Sequence, residues 1–170
     1  MGGTLTASLV TGVMAGCSTD QQLDWTPKVL TAQQVIVTVS LAEQILPATS
    51  TPGAKEARIE RFIDSMVAGY LSNAEKSIFE GGISRLNQRN FIKMMPEEQH
   101  NVVIELVEEA RTQAPDSNSR PFFLLFKEMT LLGFFTSKIG ATQVLNYDPI
   151  PGGFEGCKPL SEVGGKTWAS

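Results

Sequence analysis

The chain has 170 residues, 42% of them hydrophobic and 19% charged, which excludes a disordered polymer and fits one domain around one core. Fourteen Lys and Arg against eighteen Asp and Glu leave a net charge of −4, and the cations do not cluster, so nucleic acid is excluded as the main partner. One histidine and two cysteines are too few for a structural zinc site with the usual N and S ligands.

No charged residue precedes Asp20, and no basic residue precedes Lys28. Leu5, Leu9, Val10, Val13 and Met14 lie among Gly, Ala, Ser and Thr, the texture of a signal-peptide core, in a stretch shorter than the ~20 apolar residues that span a bilayer. It closes on Met14-Ala15-Gly16-Cys17, which is similar to a bacterial lipobox. Residues 1–17 therefore read as an export signal, with Cys17 lipidated and holding the mature chain to a membrane. The alternative is a neutral N-terminus with a chance cysteine. The basic residues that should open such a signal are expected upstream of Met1. Residues 18–30 read as a polar tether.

Residues 31–146 read as an all-α domain of about five main helices. Thr31 and Gln34 form a capping box for a helix that reaches about Leu46 and stops before Pro47. Pro47 to Gly53 is a loop, since two prolines and a glycine break either regular element. The second helix has one apolar stripe, Ile59, Phe62, Ile63, Met66, Val67 and Tyr70, with Arg58, Glu60, Arg61 and Asp64 assigned to the opposite face. Ser72 and Glu75 cap a third helix, whose buried candidates are Ile78, Phe79, Ile83 and Leu86. Gly81-Gly82 in its middle predicts a kink or a close helix crossing. Pro96 with Glu97 and Glu98 suits the first turn of a fourth helix, with Val102, Val103, Leu106, Val107 and Ala110 inward. A polar loop, Pro115 to Ser119, follows. The fifth helix, Phe122 to Phe135, is apolar almost all round: a central helix walled by the others, or one with a side left for a partner protein.

Residues 147–170 form a Pro/Gly-rich tail without predicted regular structure, and its Tyr147, Phe154 and Trp168 favour a tail that docks. Its candidate interface is Tyr147, Pro149, Pro151, Gly152, Gly153, Phe154, Gly156 and Cys157. Tyr147 and Phe154 are the aromatic anchors, the prolines reduce the entropy lost on docking, and the glycines let the backbone lie close to another surface. Once Cys17 is lipidated, Cys157 is left over in an oxidising compartment, a candidate for an intermolecular disulfide; a buried thiol and a Cys17–Cys157 bridge are the alternatives.

Little points to catalysis. His100 opens a helix with no partner at a useful spacing and is expected to face solvent. Glu105, Glu108 and Glu109 read as a solvated helix face. No glycine pair sits between a strand and a helix, and no Cys-x-x-Cys or Glu-x-x-His occurs. No cofactor is assigned to this chain.

Ile45-Leu-Pro-Ala-Thr-Ser-Thr-Pro-Gly-Ala-Lys55 followed by Phe62-Ile-Asp64 resembles the opening signature of the gluconate 2-dehydrogenase subunit 3 family. Phe122-Phe123, Thr130 to Ser137, and Tyr147-Asp-Pro-Ile-Pro-Gly-Gly-Phe-Glu-Gly-Cys157 resemble its closing signature, so the likeness runs from about Thr31 to Trp168. The resemblance implies a small, non-catalytic subunit of a membrane-associated, FAD-dependent sugar or polyol dehydrogenase. The catalytic partner would be a large flavoprotein of the glucose–methanol–choline type that carries the FAD, and a multihaem cytochrome often completes such complexes. The small subunit would aid maturation and export of the large one to the periplasm. This sequence departs from the family in having no twin-arginine pair, and a lipobox is not a general family feature. The alternative function is a stand-alone helical lipoprotein that binds a small apolar ligand.

Overall fold

The computed structural model describes residues 23–113, 120–150, 152–153 and 157–168. The export segment with Cys17, the loop from Pro115 to Ser119, and Pro151, Phe154 and Gly156 of the tail lie outside the described residues. Five α-helices build the domain: α1 (Ala32–Ile45), α2 (Ile59–Gly69), α3 (Asn73–Gln88), α4 (Pro96–Thr112) and α5 (Phe122–Phe135). No strand occurs among the described residues.

The helix starts follow local chemistry. Thr31 accepts the Gln34 N–H while the Gln34 side chain accepts the Thr31 N–H, and Ser72 and Glu75 repeat the arrangement at α3. Pro96 opens α4, and Glu98 reaches back to accept the Met95 N–H at 2.8 Å. Glu43 organises the loop between α1 and α2: its carboxylate accepts the N–H groups of Ala48 and Lys55, both at 3.0 Å. Gly53 is required there, because a Cβ would stand 2.5 Å from the Ala48 nitrogen.

The core collects Val35, Val37 and Leu41 of α1, Ile59 and Ile63 of α2, Phe79, Ile83 and Leu86 of α3, Val102 and Leu106 of α4, and Phe122, Phe126 and Met129 of α5. Helix α5 packs against all four others and buries eight of its fourteen residues, more than any other helix. Two glycines let it approach its neighbours. A Cβ on Gly82 of α3 would lie 2.2 Å from the Phe122 ring, and one on Gly133 of α5 would lie 2.7 Å from Phe62 of α2. The Gly-Gly pair thus marks a close crossing, and α3 runs unbroken through it. Phe79 stacks on Phe126 at 6.2 Å and meets Phe122 edge-on at 6.4 Å, joining α3 to α5.

The second helix corrects its predicted faces. Glu60 and Asp64, assigned outward, are buried, whereas Tyr70, assigned inward, is exposed. Asp64 turns inward because residues 28–30 lie across α2 and aim their backbone at it. Its carboxylate accepts the N–H groups of Lys28 at 2.7 Å and of Val29 and Leu30 at 3.0 Å. Tyr70 is the C-cap residue of α2, where the helical repeat ends and no longer carries its side chain to the core. Residues 23–30 are a strap on α2: Leu23 and Trp25 pack on the core edge, and Asp24 pairs with Arg58 and Arg61. The Arg61 guanidinium sits 5.5 Å from the centre of the Trp25 ring.

Candidate partner interface

After α5 the chain makes a π-helical turn at Gly140–Val144 and enters the tail. The tail carries more order than its composition predicts. A 3-10 turn forms at Leu160–Val163, and Asn146 makes an isolated parallel bridge with Trp168. Asn146 is the tie: its N–H donates to the Thr167 carbonyl at 2.7 Å, and its side-chain amide donates to the carbonyls of Val163 at 2.6 Å and Lys166 at 2.8 Å. Lys166 donates to the Gln143 carbonyl at 2.7 Å, fastening the returning chain to the π turn. These bonds bring two points of the tail together and leave the segment between them as a loop.

Of the predicted interface residues, Tyr147, Pro149, Gly152, Gly153 and Cys157 are among the described residues there. Tyr147 is 58% exposed and Ile150 is 83% exposed. Pro149, Gly152, Gly153 and Cys157 are exposed as well. A Cβ added at Gly152 or Gly153 would meet nothing within 4 Å, so neither glycine serves packing within the domain. Cys157 carries a free thiol at a positive φ of 58°. Trp168 and Leu160 add exposed apolar surface beside the closure point.

A second apolar surface lies on α5. Leu124, Leu132 and Phe135 are exposed, Leu131 is half-buried, and Lys127 and Glu128 project between them. With Arg120 and Thr136 they border an open groove of about 480 Å³ to which no described tail residue contributes. The described residues of the tail therefore do not cover the outer side of the Phe-rich helix.

A third feature is a cleft of about 430 Å³ between the strap and α1, with Trp25, Ile36 and Val39 among its apolar walls and Lys55, Arg58 and Glu60 among its polar ones. Burial pushes the Glu60 carboxyl up from its ordinary value, and the Arg58 guanidinium, 3.9 Å away, only partly offsets this. At the rim, the hydrogen bond from Arg58 holds the Asp24 carboxyl below the usual range, with Arg61 reinforcing it.

The acids on α4 are a solvated face, as predicted: Glu105, Glu108 and Glu109 pair with Arg89, Arg111 and Arg85 at 2.7, 2.7 and 2.9 Å. His100 is exposed. Among the described residues no group of three or more His, Cys, Asp or Glu is placed to hold a metal ion, and no helix is long and apolar enough to cross a membrane.

A family model described as gluconate 2-dehydrogenase subunit 3 matches residues 32–152. The chain belongs to that family. The matched span runs from the first residue of α1 to Gly152, so it takes in all five helices and the near side of the exposed loop. Within it lie the Glu43-organised loop, Asp64, the two ring-accepting glycines and Tyr147. Comparisons with curated proteins and with solved structures gave no match.

Proposed function

We propose that this chain is the non-catalytic small subunit of a periplasmic, membrane-associated dehydrogenase that oxidises a sugar or polyol. Its partner would be a large flavoprotein of the glucose–methanol–choline type, carrying the FAD and the catalytic residues. A multihaem cytochrome is a further candidate member of the complex. The small subunit would stabilise the large one during maturation and export, and Cys17, once lipidated, would hold the assembly to the membrane.

The observation that carries this reading is the tail. A loop tied at Asn146 projects Tyr147 and Ile150 into solvent, with open glycines and a free thiol beyond them. Exposed aromatic anchors on a segment with restricted ends lose little entropy on docking. A disulfide from the exposed thiol on the same loop to a partner cysteine would hold the complex together at low periplasmic concentration. Family membership supports a dehydrogenase complex as the setting, since the family is named for a subunit of a dehydrogenase.

The test is co-expression with a large flavoprotein of the glucose–methanol–choline type, sought in the neighbouring gene, followed by affinity capture through the small subunit. The expected result is a yellow complex whose large component binds FAD, together with poor yield of either chain expressed alone. A well-behaved monomer that captures no flavoprotein would overturn the reading and favour the ligand-binding lipoprotein.

A further inference from the structure

The open face of α5 is complementary to itself. Counted outward from the peptide bond between Lys127 and Glu128, Leu124 and Leu131 lie at equal distances, as do Arg120 and Phe135. Leu124, Lys127, Glu128 and Phe135 are exposed and Leu131 is half-buried, and together with Arg120 they border one groove. We propose that two copies of this chain associate through α5, antiparallel about a twofold axis passing between Lys127 and Glu128. In that register each Lys127 ammonium faces Glu128 of the second copy, and each Leu124 packs on Leu131 of the second copy. Glu128 already pairs with Arg120 of its own chain, and its second oxygen is left to receive the incoming lysine. A parallel pairing would instead set Lys127 against Lys127 and Glu128 against Glu128.

The charge order selects a second copy as occupant, because a basic and an acidic residue adjacent at the centre of an apolar stripe are matched by the same stripe reversed. The contact runs along about 21 Å of helix and falls short of the roughly 800 Å² per partner of a standard stable interface, so the dimer is reversible and depends on concentration.

Sedimentation velocity on the full chain, carrying Cys17→Ser and Cys157→Ser to exclude lipidation and disulfide-linked dimers, tests this over a concentration series reaching about 1 mM. A shift from monomer to dimer is expected. Lys127→Glu or Glu128→Lys alone should weaken dimerisation at least about tenfold, and the two together should restore it. Both positions are exposed, so far-UV circular dichroism should be unchanged. A second readout needs no soluble purified chain: Leu124→Cys with Leu131→Cys, oxidised during expression, should yield a linked peptide pair joining 124 to 131. Two turns of one helix separate these positions by about 10 Å, beyond disulfide reach, so the link forms only between copies. A monomer at every concentration, a dimer indifferent to the single charge reversals, failure of the double reversal to restore it, or the absence of the 124–131 link would each overturn the proposal. Should the single reversals abolish flavoprotein capture while the chain alone stays monomeric, the face belongs to the flavoprotein: the self-association falls and the subunit reading stands.

Discussion

The carboxylate of Asp64 receives the backbone N–H of Leu30 at 3.0 Å and, through the same two oxygens, those of Val29 and Lys28. One buried side chain thus fixes the path by which the chain enters the bundle. Replacing Asp64 with Ala leaves these donors with no partner, at an expected cost of about 3 kcal/mol or more. Urea unfolding should show the lower midpoint, and limited trypsin digestion should show faster cleavage after Lys28. Asp64→Asn keeps one acceptor oxygen and should fall between.

The two adjacent glycines of α3 make a matched pair. Gly82→Ala drives a Cβ into the Phe122 ring and should destabilise by about 2 kcal/mol as the helices part. Gly81→Ala meets nothing within 4 Å and should stabilise by up to about 1 kcal/mol through helix propensity alone. Equal effects at the two positions in thermal unfolding would contradict the crossing described.

Acid should weaken the fold at named places. The Ser72 N–H and hydroxyl hold the Glu75 carboxyl below its ordinary value of 4.5, and Arg89 does the same for Glu105. Groups with depressed values contribute stability that is full above pH 4.5 and is lost as pH falls through their folded-state values. Glu60 runs the other way. Its value is raised by burial, so its contribution is present below 4.5 and is lost as pH rises through the folded-state value. Glu60→Gln should therefore be more stable than the native chain at neutral pH, with the gain vanishing near pH 4. Denaturant midpoints measured across that range check both signs.

Most of the bundle was legible in the residues. Capping boxes at Thr31 and Ser72, Pro96 at a helix start and the all-apolar run from Phe122 each fix an element by local chemistry, and all stand where expected. Glu60 and Asp64 were misplaced because periodicity sorts acids outward, whereas the donors that draw Asp64 inward lie more than thirty residues earlier in the chain. The order in the tail escaped for a similar reason. Its 3-10 turn and bridge are held by the Asn146 amide reaching carbonyls 17 and 20 residues away, a contact with no local signature. Composition marks the tail as a docking segment, whereas the apolar run of α5 reads equally as burial or as a partner face, since such a run does not say which of its sides the neighbours reach.

Tyr147 and Cys157 should matter to assembly and not to folding. Tyr147→Ala is expected to leave the unfolding midpoint unchanged and to weaken flavoprotein capture by about 2 kcal/mol, roughly thirtyfold. Cys157→Ser should remove any reductant-sensitive band that joins the two chains on a gel. Unchanged capture by both variants would assign the interface elsewhere. Asn146→Ala supplies a further comparison: it should loosen the loop ends, seen as faster amide exchange at residues 160–168, and weaken capture without altering the loop's own surface.

The tie at Asn146 also separates the length of the loop from its placement. Because both ends are held at one point, adding residues between Tyr147 and Leu160 would cost only the slow logarithmic entropy of a longer closed loop, about 0.6 kcal/mol for each doubling. Relatives of this chain are thus free to lengthen or shorten that segment to follow a changing partner surface while the bundle keeps its sequence. Insertions should accumulate there across the family, and a tag placed in the loop should be tolerated by the fold where the same tag in the Glu43-organised turn is not.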